Sequence, residues 1–340
     1  MRLLAPFLLA LATGSIAVPA GFEDEGDRES LLLAVERQTA YLEGLKKPNL
    51  PFGTASVAVE RLKRTNREFG KLVREAWGTE EFGKRLEARF ERIDAGPTHF
   101  TGYYLPKLEA RLAPDARFRY PLYRKPARTT FPTHAEIEDG GALASQGLEV
   151  AWVSDEFERY ILMVQGSGVL RFGDGQERFI NYGGKNGHPY VSLGKALIAD
   201  GKLATESVSI PAIKRYFAQF PEQQHGYLLR NPSYVFFQLK DEGPFGVDSI
   251  ELTGRRSIAT DKRFWPSGGI AFIRYPKVAS WRGGQPATWT EGGRFVCDQD
   301  TGGAIRGIGR VDIFWGAGDE AAAIAGSLNA TGSLTYFLAK

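Results

Sequence analysis

The stretch DQDTGGAIRGIGRVDIFWG, residues 298–316, sets three aspartates among glycines and ends in an apolar, aromatic run. The glycines indicate a turn, whereas the closing run alternates as a half-buried β-strand does. In such a strand Val311 and Ile313 share one face, and Asp312 lies with Phe314 on the other. Apolar neighbours desolvate a carboxyl and raise its pKa, which is the property of a general acid. An aspartate that merely caps a turn is the alternative.

Size and charge are those of an ordinary globular protein. The chain has 340 residues, of which 43% are hydrophobic and 24% charged, enough for two domains with separate cores. The net charge is only +3 and no Lys/Arg cluster interleaved with aromatics occurs, so we expect no nucleic-acid partner. Glycine (40 residues) and aromatic side chains (12%) are abundant, which favours strands and turns over a helix bundle.

The first 20 residues have the pattern of a secretory signal peptide. Arg2 is followed by an apolar stretch from Leu3 to Ala12, too short to span a bilayer, and then by small residues. We therefore expect an exported protein, with cleavage after Ala17 or Ala20. No cysteine stands nearby to carry a lipid, so no lipobox is predicted.

Hydrophobic periodicity changes along the chain. Before His99 apolar residues recur at helical spacing, and Thr79 is followed by two glutamates, as at a helix start. Beyond it three helices are predicted, over Ser192–Ala199, after Ser209 and from Asp319. The predicted β runs are THFTGYYLP, LEVAWVS, RYILMVQG, YVFFQLKD, AFIRYP, RFVCDQD, VDIFWG and SLTYFLA. The predicted fold class is mainly β with helices (α+β), without regular strand–helix alternation.

Signatures of several enzyme classes are missing. The four histidines lie far apart and no HExxH occurs, so neither a metal nor another cofactor is predicted. VQGSGVL has Gln165 where a nucleophile elbow needs glycine two residues before the serine. The one cysteine, Cys297, lies in an apolar run and is expected to be a buried hydrophobe.

Carboxylates, aromatics and glycines remain, and these groups suit polysaccharide cleavage. A glycosidic oxygen leaves once it is protonated by a carboxylic acid of raised pKa, and aromatic faces stack on sugar rings. The candidate groove stretches are TGYY, QGSG, YGGKNGHPY and NPSYVFF, although each is compatible with a plain turn. Asp300, before Gly302 and Gly303, is by default a turn former, and Asp261 is compatible with an ordinary surface position.

Six segments, taken in order, resemble the membrane-bound lytic transglycosylase A family. They are TGYY, VQGSGVLRF, NYGGKNGHPYVSLGKALIADG, NPSYVFFQ, GPFGVDSIELTGRRSIATDKRFWPSGG and QDTGGAIRGIGRVDIFWGAGDEAA. The last two are similar to a three-aspartate domain, whose aspartates fall at Asp261, Asp300 and Asp312. The resemblance runs from Thr101 to Lys340, and the helical stretch before it contributes little.

The resemblance implies two domains with a groove between them. One is a double-psi β-barrel domain, formed by residues 21–104, which include a helical N-terminal part, and residues 243–340. The other is a β-rich domain inserted at residues 105–242. A glycan strand would lie in the groove, as ligands commonly do between domains.

The resemblance also implies the reaction, that of a peptidoglycan lytic exotransglycosylase. Such an enzyme cleaves the β-1,4 bond between N-acetylmuramic acid and N-acetylglucosamine and leaves a 1,6-anhydro sugar. Asp312 would be the single acid–base group, Asp300 would hold the geometry and charge of the catalytic site, and Asp261 would support it. The substrate-binding positions are Thr101, Gly102, Tyr103, Tyr104, Gln165, Gly166, Ser167, Gly168, Lys185, Asn186, Gly187, His188, Tyr190, Asn231, Ser233, Phe236, Gly302 and Gly303. The implied partner is the peptidoglycan glycan strand, bound by a monomer in the periplasm. Association with the outer membrane or with wall-synthesis proteins is left open.

Two other functions stay open on the sequence. A barwin-like hydrolase would cleave β-1,4 glycans with water as nucleophile, and its product would be heavier than the anhydro product by one water. A wall-binding module with a dead site would bind peptidoglycan and release nothing soluble.

Overall fold

The structure, a computed structural model, describes residues 22–205 and 208–340. The predicted signal peptide, residues 1–20, lies outside the described residues. Among the residues described, no helix combines the length and the apolarity that crossing a membrane requires.

The helices of the described ranges begin where the sequence predicts them in four cases. Thr79, Ser192 and Ser209 stand directly before a helix, and another begins at Asp319. The helices are α1 (Arg28–Gly44), α2 (Val59–Ala76), α3 (Glu80–Arg89), α4 (His134–Glu138), α5 (Glu156–Gln165), α6 (Leu193–Ala199), α7 (Ile210–Gln219), α8 (Pro221–Leu229) and α9 (Asp319–Ser327).

The strands form a small hairpin, a closed barrel and an open sheet. They are β1 (Asn49–Phe52), β2 (Ala55–Ala58), β3 (Phe90–Leu105), β4 (Lys107–Arg111), β5 (Tyr120–Tyr123), β6 (Glu149–Val153), β7 (Gly168–Arg171), β8 (Glu177–Lys185), β9 (Val235–Lys240), β10 (Ser257–Ala259), β11 (Gly269–Arg282), β12 (Gln285–Asp300), β13 (Arg310–Ala317) and β14 (Asn329–Ala339). A mainly β fold with helices is thereby confirmed.

The barrel joins β3 from the first third of the chain to strands from the last third. Its order is β10-β12-β11-β14-β3-β13, and β3 pairs in parallel with β13, as β10 does with β12. Phe100, Val311 and Ile313 are fully buried in its interior. The predicted alternation in β13 is therefore confirmed for Val311 and Ile313, and Asp312 lies on the opposite face, where it is half-buried.

The N-terminal helices cover the outside of the barrel with aromatic contacts. Phe69 of α2 and Phe82 of α3 both pack on Phe295 of β12, with ring centroids 5.2 and 5.5 Å apart. Buried Cys297 belongs to the same apolar cluster, and burial raises the pKa of its thiol, as expected of a structural cysteine. These contacts hold the helical segment against β12, the strand that ends at Asp300.

The second sheet has the order β5-β6-β4-β7-β8-β9 and lies beside the barrel. The chain enters it from β3 through Pro106 and returns to β10 along residues 241–256. An apolar cluster seats it on the barrel: Phe314 of β13 packs with Val169 of β7, and Leu105 and Leu252 of the two connections complete the contact.

The structure corrects one predicted strand. RYILMVQG is not a β run, because Arg159 to Gln165 form most of α5. Asp155 caps this helix by accepting a hydrogen bond from the backbone N–H of Glu158 at 2.9 Å, and Gly166 ends it in the left-handed conformation. The β1–β2 hairpin and helices α4 and α8 were not predicted either.

Candidate active site

A polar row crosses the barrel where β12, β10, β13 and β3 lie side by side. Ala259 of β10 is paired on one side with Asp300 and on the other with Asp312, and Asp312 is paired with Thr101. The two aspartates are therefore two strand spacings apart, about 10 Å along the row. The barrel thus brings together two of the predicted aspartates, which the sequence separates only by a turn, and Thr101, from the other end of the chain.

Asp312 is desolvated but retains one strong donor. The Thr101 hydroxyl donates to its Oδ1 at 2.6 Å. Burial raises the pKa of Asp312, and the Thr101 hydrogen bond and the charges of Arg310 and His99 oppose that rise. A carboxyl with these properties can keep its proton at higher pH than an ordinary aspartate and give it to a substrate oxygen.

Asp300 gathers three donors around its carboxylate. The Tyr103 hydroxyl donates to Oδ2 at 2.8 Å, and the backbone N–H groups of Val247 and Thr301 donate to Oδ1 at 3.0 and 2.8 Å. Burial nevertheless raises the pKa of Asp300 to about 6, because desolvation outweighs the Tyr103 hydrogen bond and the nearby charge of Lys262. Asp300 therefore links three segments through hydrogen bonds: β3, the connection at residues 241–256 that returns to the barrel, and the glycine-rich turn that begins at Thr301.

Asp261 is a buried turn residue and not the surface residue that the sequence alone allowed. Its exposed fraction is only 2%, and its Oδ2 accepts hydrogen bonds from the Arg263 guanidinium at 2.5 Å and from the Gly307 N–H at 2.8 Å. These hydrogen bonds hold its pKa well below the usual range. Asp261 thus ties the end of β10 to the loop before β13, which is a supporting position.

The remaining predicted residues of β3 lie next to the aspartates. The Tyr103 ring packs on Phe314 with centroids 5.2 Å apart, which orients its hydroxyl toward Asp300. Gly102 is packed so tightly that a Cβ would come within 2.6 Å of Trp315 Nε1 and 2.8 Å of the Ala325 Cα. Gly102 is therefore a packing residue, and we do not expect it to contact a ligand.

The QGSG stretch joins the second unit to the barrel. The Gln165 side-chain oxygen accepts a hydrogen bond from the Tyr104 N–H at 3.1 Å, and the Ser167 hydroxyl accepts a weak one from the Tyr182 N–H at 3.4 Å. Gly166 ends α5, and Gly168 is enclosed, since a Cβ would lie 2.8 Å from the Pro106 oxygen. Gln165 and Ser167 are partly exposed, so a ligand can reach them.

The glycines after Asp300 differ in what they do. Gly307 has a φ of 95°, which only glycine adopts readily. A Cβ on Gly302 would touch Ile305 at 3.1 Å, whereas one on Gly303 would meet nothing within 4 Å. Gly303 is exposed, so its lack of a side chain leaves open room beside the polar row.

The structure divides the predicted residues of the second unit into exposed and structural positions. Lys185, Gly187 and Tyr190 are exposed, and 44% of Tyr190 is accessible to solvent. Tyr182 begins the candidate stretch YGGKNGHPY but was not among the individually predicted binding positions, and it is 49% exposed. These positions are available to a ligand.

Asn186, Asn231 and Phe236 are corrected, since the structure gives them internal partners. The Asn186 amide donates to the carbonyl groups of Pro132 and Pro232 at 3.0 and 2.8 Å and accepts from the Tyr234 N–H at 2.9 Å. Asn231 Oδ1 accepts from two backbone N–H groups, and Phe236 is fully buried. All three are buried, and the asparagine side chains bind the backbone of neighbouring loops, so we expect them to shape the loops and not to contact a sugar.

Two further predicted residues, His188 and Ser233, belong to the same loop contacts. A ring nitrogen of His188 lies 3.0 Å from the Phe131 oxygen, and the backbone N–H of Ser233 donates to the Asn231 side chain at 3.2 Å. Both are partly exposed, so a ligand contact stays compatible with their positions.

The sequence analysis missed a buried charge network behind the row. Asp298 is fully buried, forms an ion pair with Lys262, and accepts from the hydroxyls of Thr260 and Tyr336 at 2.7 and 2.6 Å. Burial raises the pKa of Asp298, and Lys262 opposes the rise. Simple alternation would place Asp298 and Asp300 on one face of β12, but the β10–β12 pair has an irregular register, in which Asp298 is paired with buried Ile258 and Asp300 with Ala259 of the polar row. The local sequence therefore does not predict this network.

Metal ligation finds no support in the part of the chain that is described. Within residues 22–205 and 208–340, no group of three or more His, Cys, Asp or Glu side chains is placed to hold an ion. What the row offers instead is a carboxyl of raised pKa, that of Asp312.

Two family models match this chain. The MltA specific insert domain matches residues 99–238, and the 3D domain matches residues 256–338. Together they account for well over half of the sequence.

Curated relatives and solved structures agree with the family models. Membrane-bound lytic murein transglycosylase A of Escherichia coli (strain K12) is 37% identical over 238 residues, which are 69% of this chain and 64% of the relative. The Vibrio cholerae protein of the same name is 36% identical over 68% of this chain and 62% of the relative. The match thus spans less than two thirds of these relatives.

Solved structures extend the likeness to most of the chain. A membrane-bound lytic murein transglycosylase from Agrobacterium tumefaciens has a TM-score of 0.77 at 27% identity and covers 92% of this chain and 93% of its own. The structure of E. coli MltA with bound chitohexaose has a TM-score of 0.76 at 29% identity, with 91% and 90% covered.

Proposed function

This chain belongs to the membrane-bound lytic murein transglycosylase A family, and we propose that it cleaves the β-1,4 bond between N-acetylmuramic acid and N-acetylglucosamine of peptidoglycan. The observation that carries the proposal is the setting of Asp312. It is a desolvated carboxyl of raised pKa, with one oxygen held by Thr101 and the nearest aspartate of the row two strands away.

The proposed reaction uses Asp312 twice. Protonated Asp312 gives its proton to the glycosidic oxygen as the bond from that oxygen to C1 of the muramic acid breaks. The resulting carboxylate then takes the proton of the C6 hydroxyl of the same sugar while O6 bonds to C1. The products are a free 4-hydroxyl on one fragment and a 1,6-anhydro ring on the other, and Asp312 is protonated again.

A single acid–base group suffices because the nucleophile belongs to the substrate. A hydrolase needs a second carboxylate to activate water or to form a covalent intermediate. In our proposal Asp300 does neither, because its oxygens already accept three hydrogen bonds. It keeps Tyr103 in place and adds negative charge that favours an oxocarbenium-like transition state.

We propose that the glycan lies between the barrel and the unit at residues 105–242. The partly exposed Thr101, Tyr103 and Gln165 and the open position at Gly303 border the polar row. The similar E. coli structure contains chitohexaose, a β-1,4-linked sugar chain, which supports a glycan as the ligand class. Exolytic action by a monomer in the periplasm completes the proposal.

Digestion of purified sacculi tests the function. Mass spectrometry of the soluble fragments should find muropeptides that end in 1,6-anhydromuramic acid and are lighter by one water than reducing fragments. Reducing ends alone would identify a hydrolase, and binding without soluble fragments would identify a wall-binding module. Either result would contradict the proposed function.

A further inference from the structure

We propose that Arg310 is a positioning residue for the acid–base group: it makes the Thr101 hydroxyl a donor to Asp312 Oδ1 and thereby leaves the transferable proton on Oδ2. The inference rests on the proposed role of Asp312. Arg310 was not among the site residues predicted from the sequence.

The geometry is a chain of two short hydrogen bonds. Arg310 Nη2 donates to Thr101 Oγ1 at 2.7 Å, and Thr101 Oγ1 donates to Asp312 Oδ1 at 2.6 Å. Arg310 and Asp312 are two residues apart on β13, so they share one face, and the parallel register places Thr101 directly opposite Asp312. The three side chains are thus fixed by the barrel.

The first bond favours one direction of the second, in which Thr101 donates to Asp312. A guanidinium has only donors, so the Thr101 oxygen must accept from it, and this contact with a cation polarises the hydroxyl toward donation. Without Arg310, the same hydroxyl could instead accept from a protonated Oδ1 of Asp312. The acid proton would then point at Thr101 and away from the sugar.

Asp312 Oδ2 is the oxygen left for the substrate. Within the described part of the chain, no hydrogen bond to Oδ2 occurs, whereas Oδ1 is occupied by Thr101. A proton placed on Oδ2 is therefore free to move to a glycosidic oxygen. Arg310 consequently decides which oxygen of Asp312 is catalytically active.

Arg310 itself is held and is not a free substrate-binding cation. Its Nη1 donates to the Val311 carbonyl at 2.8 Å and to the His99 carbonyl at 3.3 Å. Burial lowers its pKa and Asp312 opposes that shift, but an arginine stays charged in this range. The other groups that face Asp312 are His99, bound to Asn329 at 2.6 Å, and Tyr103.

Removal of Arg310 has two consequences that the loss of a purely structural residue would not produce together. In the variant, the proton of Asp312 is shared between its two oxygens. Fewer molecules then have the proton on the oxygen that faces the sugar, so kcat falls while KM is unchanged. The loss of a nearby positive charge also raises the pKa of Asp312, since that charge favours the carboxylate. The alkaline limb of the pH–rate profile therefore moves to higher pH.

The test measures release of anhydro products from soluble glycan strands between about pH 4 and 9. We expect Arg310→Met to lower kcat about tenfold and to move the alkaline limb upward. Arg310→Lys, which keeps a charged donor, should recover most of the wild-type rate and the wild-type position of the alkaline limb.

The second part of the test uses a double variant. Thr101→Val should lower kcat about as much as Arg310→Met does. The double variant should have nearly the same kcat as Thr101→Val alone, because Arg310 acts through the Thr101 hydroxyl. Arg282→Met, at an exposed position of the β11–β12 hairpin, is the charge-matched control.

The proposal is overturned if Arg310→Met leaves both kcat and the alkaline limb at wild-type values. It is also overturned if the fold-decrease in kcat of the double variant equals the product of the fold-decreases of the two single variants. If circular dichroism shows that Arg310→Met does not fold, Arg310→Lys and Thr101→Val test the proposal instead. A Thr101→Val variant with the wild-type kcat and the wild-type alkaline limb would refute the proposal. The products of the wild-type protein test the proposed function separately. If they carry only reducing ends, the proposed transglycosylase activity is contradicted, whatever the role of Arg310.

Discussion

At the scale of single residues, the candidate acid depends on a partner far away in sequence. Asp312 and Thr101 are 211 residues apart and become neighbours only in the parallel β3–β13 pair. Alternation and apolar neighbours suffice to predict Asp312 from the sequence. Its donor Thr101 was predicted only as a sugar-binding position, because register between distant strands leaves no local signal.

The first prediction concerns the acid itself. Asp312→Asn is nearly isosteric, and its side-chain oxygen can still accept from Thr101, so the fold should persist. Release of anhydro products should fall at least ~100-fold, because an amide cannot donate and recover a proton. The control is Asp174→Asn, an exposed turn aspartate that accepts from the Gln176 N–H at 2.9 Å. Near-wild-type release by Asp312→Asn would remove this residue from the role.

The second prediction uses the raised pKa of Asp300. The folded carboxyl ionises near pH 6 and the unfolded one near pH 4, so the unfolded state gives up its proton first. Stability from this group is therefore present at low pH, is lost as pH rises from about 4 to 6, and is constant above. Asp300→Asn keeps an oxygen for Val247 and Thr301 and an amide that can donate to Tyr103. The difference in melting temperature between wild type and variant should change across that window, and a constant difference would contradict it.

At the scale of elements, helix starts were predictable and one apolar run was not. Ser192 and Ser209 cap α6 and α7 through their hydroxyls, a local contact that the sequence signals. RYILMVQG contains a short uninterrupted apolar run from Tyr160 to Val164, and such a run fits a buried helix as well as a strand. The Asp155 cap and Gly166 at the end were the signals that distinguished them.

Loop residues were harder to predict for a related reason. An asparagine in a glycine-rich stretch can bind a hydroxyl group of a sugar, or it can form hydrogen bonds with nearby backbone groups. Only the path of the folded chain decides between the two. Asn186 lies where β8 ends beside Tyr234, so backbone groups take up its amide.

The third prediction compares two glycines near the site. Gly102→Ala should lower the free energy of unfolding by about 1–3 kcal/mol, because its Cβ would lie 2.6 Å from Trp315 and 2.8 Å from the Ala325 backbone. Gly303→Ala should unfold like the wild type, since its Cβ meets nothing within 4 Å, yet it should cleave glycan more slowly by filling the open room. Urea unfolding and product release measure both. Equal stability of the two variants, or full activity of Gly303→Ala, would contradict the packing or the groove respectively.

At the scale of the whole molecule, the site depends on how the second unit is seated. The seat is the apolar cluster of Leu105, Val169, Leu252 and Phe314, which joins β13 to β7 and to both connections. Phe314 shares its face with Asp312, so the seat and the acid are built on one strand. The family resemblance implied two domains, but not these contacts, because they come from four separate segments.

The fourth prediction tests that seat. Leu252→Ala should lower the free energy of unfolding by about 2–4 kcal/mol, since Leu252 is only 6% exposed. It should also raise KM for long glycan strands, because the second unit would be held less firmly beside the polar row. Leu112→Ala, at a position 69% exposed on the second unit, is the control and should change neither quantity. If Leu252→Ala is destabilised but its KM is unchanged, the apolar cluster does not contribute to substrate binding and this prediction is wrong.

Closure of the barrel sets the moment at which this chemistry can begin. Strand β14 from Asn329 onward bridges β11 and β3, and β13 must already lie against β3 before Thr101 meets Asp312. The first three quarters of the polypeptide contain the whole second unit but neither β13 nor Asp312. We therefore expect chains that stop before β13 to lack the proposed activity, which would arise only once the last two strands are in place.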